Sequence, residues 1–299
     1  MLKTGSPDSR SDSFTQEGKQ AESAIRLGRA NQEIQEFGTY SPPLLLRGIF
    51  GLAKNSFLKR GFFRHKINLV LKNFYQKPFD ALFQNARFRL YPQTSNIDLG
   101  MLMNARYNMA EIDFLRRHIP TNGIFVDIGA NIGLYSILLS PPYGPCGKVI
   151  AIEPNPSVLS RLYDNIALSQ AENIVVVEAA VGAHDADTAF HSDSESLGGS
   201  RVVADGEIRV KLRTLQTILA EAGVNNVDGL KIDIEGFEDM ALLPFFKSAA
   251  KNLWPRIVII EQTRGRRWSS SVLDYLIAIG YEKADETRSN AMFVLKGQL

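Results

Sequence analysis

A chain of 299 residues with an apolar fraction of 44% has enough material for one large or two small domains with a buried core. No apolar run approaches the roughly 18 residues that cross a bilayer as a helix. The opening MLKTGSPDSRSDSF lacks the apolar centre of a secretory leader, and the lone Cys146 excludes an internal disulfide and fits a reducing, cytoplasmic setting.

Residues 1–43 are rich in Ser, Gln, Glu and Gly and end in Ser41-Pro42-Pro43, which reads as a poorly ordered polar N-terminus. Residues 44–110 read as a basic helical extension with a lead-in strand. Phe50, Phe57, Ile67, Val70, Leu71 and Phe74 recur at helical intervals, and the spacing predicts two or three short amphipathic helices up to about residue 83. The net charge of +2 conceals this segment. Residues 44–90 carry ten Lys or Arg against the single acid Asp80, or +9, leaving −7 for the rest. Three roles fit such a segment: a helical cap on the domain, contact with the inner face of an anionic membrane, or contact with nucleic-acid phosphates. No recognised nucleic-acid module accompanies it. RFRLY (87–91) alternates as a strand does, and Glu111–His118 reads as a helix.

From Asn122 onward strands and helices alternate through residues 111–299. Expected strands are Ile124–Ile128, Val149–Glu153, Ile174–Glu178, Gly229–Asp233 and Arg256–Glu261. Expected helices are Leu134–Leu139, Ser157–Gln170, Leu215–Ala222, Phe237–Leu243 and Ser270–Ile279. Two further alternating segments, near Thr188–His191 and Glu207–Leu212, flank the Gly/Ser-rich stretch Ser192–Ser200, which suits either a lid or a plain connector. Tyr281–Lys283 and Ala291–Lys296 read as an antiparallel edge pair. The pattern is α/β: a mostly parallel seven-stranded sheet with helices on both faces, whose ligands sit outside the carboxyl ends of the strands.

Four acids fall at such ends: Asp127, Glu153, Asp233 and Glu261. The first belongs to FVDIGANIG, residues 125–133. Gly129 and Gly133 let the backbone turn sharply, and Asn131 tolerates left-handed angles. Glu153 ends the next apolar run, where a carboxylate accepts hydrogen bonds from two ribose hydroxyls. Asp233 and Glu235 are two residues apart and share a face if the strand persists. Such a pair serves as a general base, as ligands to a hydrated divalent cation, or structurally, with Glu235 capping the helix from Phe237. No third carboxylate at metal-ligand spacing accompanies it. Glu261 and His191, the latter beside the Gly/Ser-rich stretch, are further candidates for proton handling.

The turn is D-x-G-x-N-x-G, unlike the G-x-G-x-x-G that seats a dinucleotide pyrophosphate. It resembles the first motif of Rossmann-like class I methyltransferases. Together with VIAIEPNP, EAAVG and GLKIDIEGFE, it makes the stretch from about Glu111 to Glu261 similar to the FkbM family of S-adenosylmethionine-dependent methyltransferases. The resemblance implies methyl transfer to a hydroxyl of a saccharide, glycolipid or natural product. It implies a cofactor loop of Asp127, Gly129, Asn131 and Gly133, with Asp127 helping to hold the cofactor's ammonium. Glu153 and Asn155 would lie on the ribose side, Ala180 and Val181 would flank the adenine, and Asp233 and Glu235 would face the reaction centre. Two features depart from the family's pattern: Gln216 follows Thr214-Leu215 where an acid is usual, and Ala183 and His184 precede Asp185 after the AAVG turn. The alternatives are a nicotinamide-dependent oxidoreductase and a non-catalytic module that docks a membrane or partner through residues 44–90.

Overall fold

The computed structural model describes residues 34–54, 56, 61–191, 201–202, 208–262 and 272–297. Contacts divide the chain into Met1–Glu36 and Phe37–Leu299, and the described helices and strands all belong to the second unit. Residues 1–33 and the Ser192–Ser200 stretch lie outside the described residues.

The basic segment opens with two helices, α1 (Leu44–Lys54) and α2 (Gly61–Phe74). Phe50 and Ala53 are buried, Leu46 packs beside them, and Leu71 and Ile67 do the same for α2. These inward faces join one apolar cluster with Leu115, Phe125 and Val149 of the following domain. The helical pattern does not run on to residue 83. Phe79–Phe83 (β1) pairs with Ala86–Leu90 (β2) as an antiparallel hairpin. Gln84 and Asn85, at φ 50° and 69°, supply the two left-handed residues that match the twist of a tight hairpin. Helix α3 (Asn96–Met103) has no expected counterpart. Residues 98–103 are all buried, so no apolar stripe betrays it. Helix α4 (Met109–His118) leads into the main sheet.

Next come β3 (Gly123–Ile128), α5 (Leu134–Leu139), β4 (Cys146–Ile152), α6 (Pro156–Ser169), β5 (Ile174–Val177) and β6 (Ala179–Val181). After these are β7 (Ala186–His191), β8 (Arg201–Val202), β9 (Ile208–Arg213) and α7 (Leu215–Glu221). The chain closes with β10 (Gly229–Ile232), α8 (Glu238–Ser248), β11 (Ile257–Glu261), α9 (Val272–Ala278), β12 (Tyr281–Glu286) and β13 (Asn290–Leu295). The seven-stranded sheet has the order β12-β13-β11-β10-β3-β4-β5, parallel except where β13 runs between β11 and β12. Only β12 of the expected edge pair is therefore at the edge. β6 to β9 form a separate four-stranded sheet of order β6-β9-β7-β8.

β3 is sandwiched between β10 and β4 and buried on both faces, as its apolar run requires. Phe125 enters one apolar cluster, and Val126 and Ile128 enter the other across the sheet. Chain order reverses at the β3–β10 boundary, the place where an open α/β sheet leaves a crevice. In register Ile128 lies beside Ile152 and Ile232, so the residues after them converge.

Candidate active site

The turn after β3 is held by its own backbone. Gly129 and Ala130 both donate to the Ile152 carbonyl at 3.0 Å, and Gly129, Asn131 and Gly133 take φ of 75°, 51° and 89°. A Cβ on Gly129 would lie 2.1 Å from the Asp233 carbonyl oxygen, so the β3 and β10 exits touch backbone to backbone. Gly129→Ala is expected to lose about 2 kcal/mol or more of stability, because it adds left-handed strain to that clash. Urea unfolding measures the loss, and an unchanged midpoint would contradict the packing.

Asp127 and Lys231 are register partners on adjacent strands and point to the same face. Asp127 is 0% exposed. Its Oδ2 accepts from the Ser136 hydroxyl at 2.7 Å and the Ser136 amide at 3.1 Å, and its Oδ1 lies 3.7 Å from Lys231 Nζ. Burial drives the Asp127 carboxyl above its ordinary range and outweighs Lys231 and both Ser136 hydrogen bonds. Lys231 donates to the Gly129 carbonyl at 3.1 Å, stands 3.8 Å from Asp233 Oδ2 and packs 5.3 Å from the centre of the Tyr135 ring. Burial pulls the ammonium down, yet Asp233, Asp127, Glu153 and Glu261 together overcome it and hold Lys231 above its ordinary value. Among the described residues, Lys231 thus answers to four carboxylates. Asp127 lines no crevice surface. The structure commits it to Ser136 and Lys231, where the turn motif alone had it holding a cofactor ammonium.

Glu153 is buried just beyond β4. Its Oε2 accepts from the Asn131 amide at 3.0 Å and its Oε1 from the Asn155 amide at 2.9 Å. Burial pushes its carboxyl up to about 7 despite these two donors. The folded protein therefore binds a proton that the unfolded chain releases, and this contribution to stability falls as pH rises from about 4.5 through about 7. E153Q is expected to flatten that slope, which urea titrations across the range would reveal. Asn155 is itself buried. Its Oδ1 caps α6 by accepting from the Ser157 amide, and Asn155 does not line the crevice.

The crevice has two adjoining lobes that share Gly129, Pro154 and Ile234 as a common wall. One, of about 650 Å³, is a mainly apolar slot walled by Ile152, Ala180, Val181, Leu212, Phe237 and Met240. The other, of about 750 Å³, is the more polar and is lined by Asn131, Glu153, Lys231, Asp233 and Glu235 together with Ile97 and Asn108.

Strand geometry does not persist past β10. Glu235 has φ 59° and Gly236 φ 101°, so Asp233 and Glu235 do not share a strand face, although both line the polar lobe. Glu235 does not cap the next helix either. Buried Glu238, its first residue, accepts from the Ile234 and Gly236 amides at 3.0 and 3.2 Å and fixes the turn. Glu261 closes β11 opposite Asn290, lines neither lobe, and its charge acts on Lys231. His191 ends β7 opposite Arg201, and its side chain lies outside the described residues. Among the described residues no group of three or more His, Cys, Asp or Glu side chains is placed to hold a metal ion.

Lys231 and Glu238 escaped the sequence reading. Lys231 had a signal: a lysine inside the buried run GLKI must find a counter-charge. Ile97 and Asn108 had none, because they reach the lobe only through tertiary packing.

A family model described as the methyltransferase FkbM domain matches residues 127–283, more than half of the chain. The chain belongs to the FkbM methyltransferase family. Residues 127–283 of this FkbM protein run from Asp127 to β12 and take in the apolar slot, the polar lobe apart from Ile97 and Asn108, and the four strand-end acids. It is 28% identical over 182 residues to the AMB antimetabolite synthetase AmbE of Pseudomonas aeruginosa, across 48% of this chain and 8% of that protein. It is 27% identical over 180 residues to the methyltransferase sdnD of Sordaria araneosa, across 48% and 68%. The matched stretch thus spans under a tenth of AmbE and about two thirds of sdnD. Among solved structures, an FkbM methyltransferase from Methylobacillus flagellatus aligns at 16% identity and a TM-score of 0.41, covering 67% of this chain and 55% of that one.

Proposed function

We propose that the crevice binds S-adenosylmethionine and that the enzyme methylates a hydroxyl oxygen of a small acceptor, a saccharide, glycolipid or natural product, seated in the polar lobe. The observation that carries this reading is Glu153. It is a buried carboxylate at the junction of an apolar slot and a polar lobe, and each of its oxygens is engaged by only one backbone amide. The remaining lone pairs suit two ribose hydroxyls. Ala180, Val181, Phe237 and Met240 supply apolar walls of the kind an adenine ring needs. The excess of carboxylate over Lys231 suits a ligand that carries an ammonium and a sulfonium. Bound there, S-adenosylmethionine supplies a methyl carbon already activated by its sulfonium.

The protein's own task is then alignment and proton removal. Asp233 lines the polar lobe with its side chain 39% exposed and is steadied by Lys231, so it accepts the acceptor's hydroxyl proton. Glu235 lines the same lobe and helps to orient the acceptor. AmbE bears the name of an antimetabolite synthetase, which supports a natural-product acceptor. Family membership supports methyl transfer and leaves hydride transfer to a nicotinamide without a supporting observation.

Calorimetric titration with S-adenosylhomocysteine tests the reading. Wild type should bind, and Glu153→Ala should lose most of the affinity. No heat from the wild type would remove the proposal. Ribose hydroxyls favour the ionised carboxylate, so binding releases the Glu153 proton. Affinity should rise about tenfold from about pH 6 to about pH 8 and stay flat in E153Q.

A further inference from the structure

We propose that α1 and α2 form a docking face for an anionic lipid bilayer, which brings the polar lobe to a membrane-borne acceptor. The acceptor half of this inference rests on the proposed function, and the docking half does not.

The first observation is apolar. Leu46, Phe50 and Ala53 already pack inward, yet the opposite side of α1 presents Leu44, Leu45 and Leu52 at 83%, 75% and 70% exposure. On α2, Leu69 and Val70 are likewise half exposed while Leu71 is buried. Both helices are therefore anchored to the core through one face and carry apolar side chains outward on the other. A helical cap explains only the inward face.

The second observation is charge. Residues 41–95 contain one acid, Asp80. It is buried, accepts from Arg89 Nε at 2.8 Å, and also accepts from the Gly38 and Tyr40 amides. No carboxylate of this segment reaches its surface. Lys66, Lys72 and Lys77 are exposed there, with Arg47 on α1. Leucines interleaved with exposed lysines match the interfacial region of an anionic bilayer, where acyl chains accept the leucines and headgroups accept the lysines. A nucleic acid would satisfy the cations and leave the leucines in water.

The third observation is position. α1 packs against α3, and Arg64 of α2 donates to the Asn96 carbonyl at 2.9 Å. The next residue, Ile97, lines the polar lobe. The outward leucines thus stand on a helix that packs against the one whose Ile97 lines the polar lobe.

Cosedimentation of the full chain with vesicles of phosphatidylcholine, with and without phosphatidylglycerol, tests the docking. Wild type should bind the anionic vesicles and leave the neutral ones, with binding weakened by salt. L45Q/L52Q and K66Q/K72Q/K77Q should each weaken binding about tenfold or more. Both variants should titrate S-adenosylhomocysteine as wild type does, which separates a docking defect from a failed crevice. Equal partition to neutral and anionic vesicles overturns the proposal, as does unchanged binding by either variant. A change of oligomeric state in L45Q/L52Q without loss of vesicle binding overturns it too, as does stronger retention on duplex RNA than on vesicles. For the acceptor half, labelled S-adenosylmethionine is incubated with fractionated cell extract. Label should enter compounds of the membrane pellet, and label confined to the soluble fraction overturns that half.

Discussion

Replacing Lys231 by Met is expected to remove about 3 kcal/mol or more of unfolding free energy, because Asp127 then stays in the core without a cation. The sign of the pH dependence follows from that carboxylate. Burial already raises Asp127 above its ordinary value, and Lys231 is the largest influence pulling it down. Without the lysine it rises further, so the folded variant holds a proton that the unfolded chain loses. Its stability is best in acid and falls as pH rises. The deficit against wild type should therefore be smallest near pH 4 and grow toward neutrality. D127N alone should be milder than K231M, since Lys231 keeps Asp233 and the field of Glu153 and Glu261. The pair K231M/D127N should recover much of the K231M loss. A double-mutant cycle in urea measures this coupling, and additive single effects would show that the two side chains are independent.

Asp233→Asn is expected to reduce turnover by about 10²- to 10⁴-fold, the contribution of a positioned base, while S-adenosylhomocysteine affinity changes by less than about tenfold. The side chain sits at the crevice mouth, its amide donates to the Ile128 carbonyl, and an isosteric amide preserves its shape, so the fold should survive. Glu235→Gln should cost less, because its left-handed turn sets it apart from Asp233, which Lys231 steadies at 3.8 Å. Labelled methyl transfer to an extract-derived acceptor supplies the rate. If D233N turns over within tenfold of wild type and E235Q does not, the proton goes to Glu235. If both turn over normally, alignment alone drives the reaction and no carboxylate acts as base.

Legibility followed periodicity and turn chemistry. The parallel strands appeared as short Val/Ile runs and were displaced by one to three residues at their ends. The Gly129–Gly133 turn was visible because left-handed angles restrict residue choice. Expectation failed where burial was uniform or where a turn replaced a strand. α3 is buried continuously from Asp98 to Met103 and shows no stripe. The helical reading of residues 79–83 gave way to a hairpin, and the extended reading of residues 233–235 to a left-handed turn held by Glu238. The helix expected over Phe237–Leu243 instead runs through Pro244 to Ser248 as α8.

What the residues determined by themselves was local: which runs extend, where the backbone must be glycine, and that acids close four strands. The spacing of those acids also placed them on one edge of a parallel sheet, since alternating strands and helices admit few arrangements. Only the tertiary structure decided what each acid meets. Register set Lys231 beside Asp127 and withdrew that carboxylate from the crevice. Burial lifted the proton affinity of Glu153 toward neutrality, against the pull of two amides from separate turns. Charge interactions act across strands, between groups distant in sequence, so their balance emerges when the sheet assembles and cannot be read from any one segment.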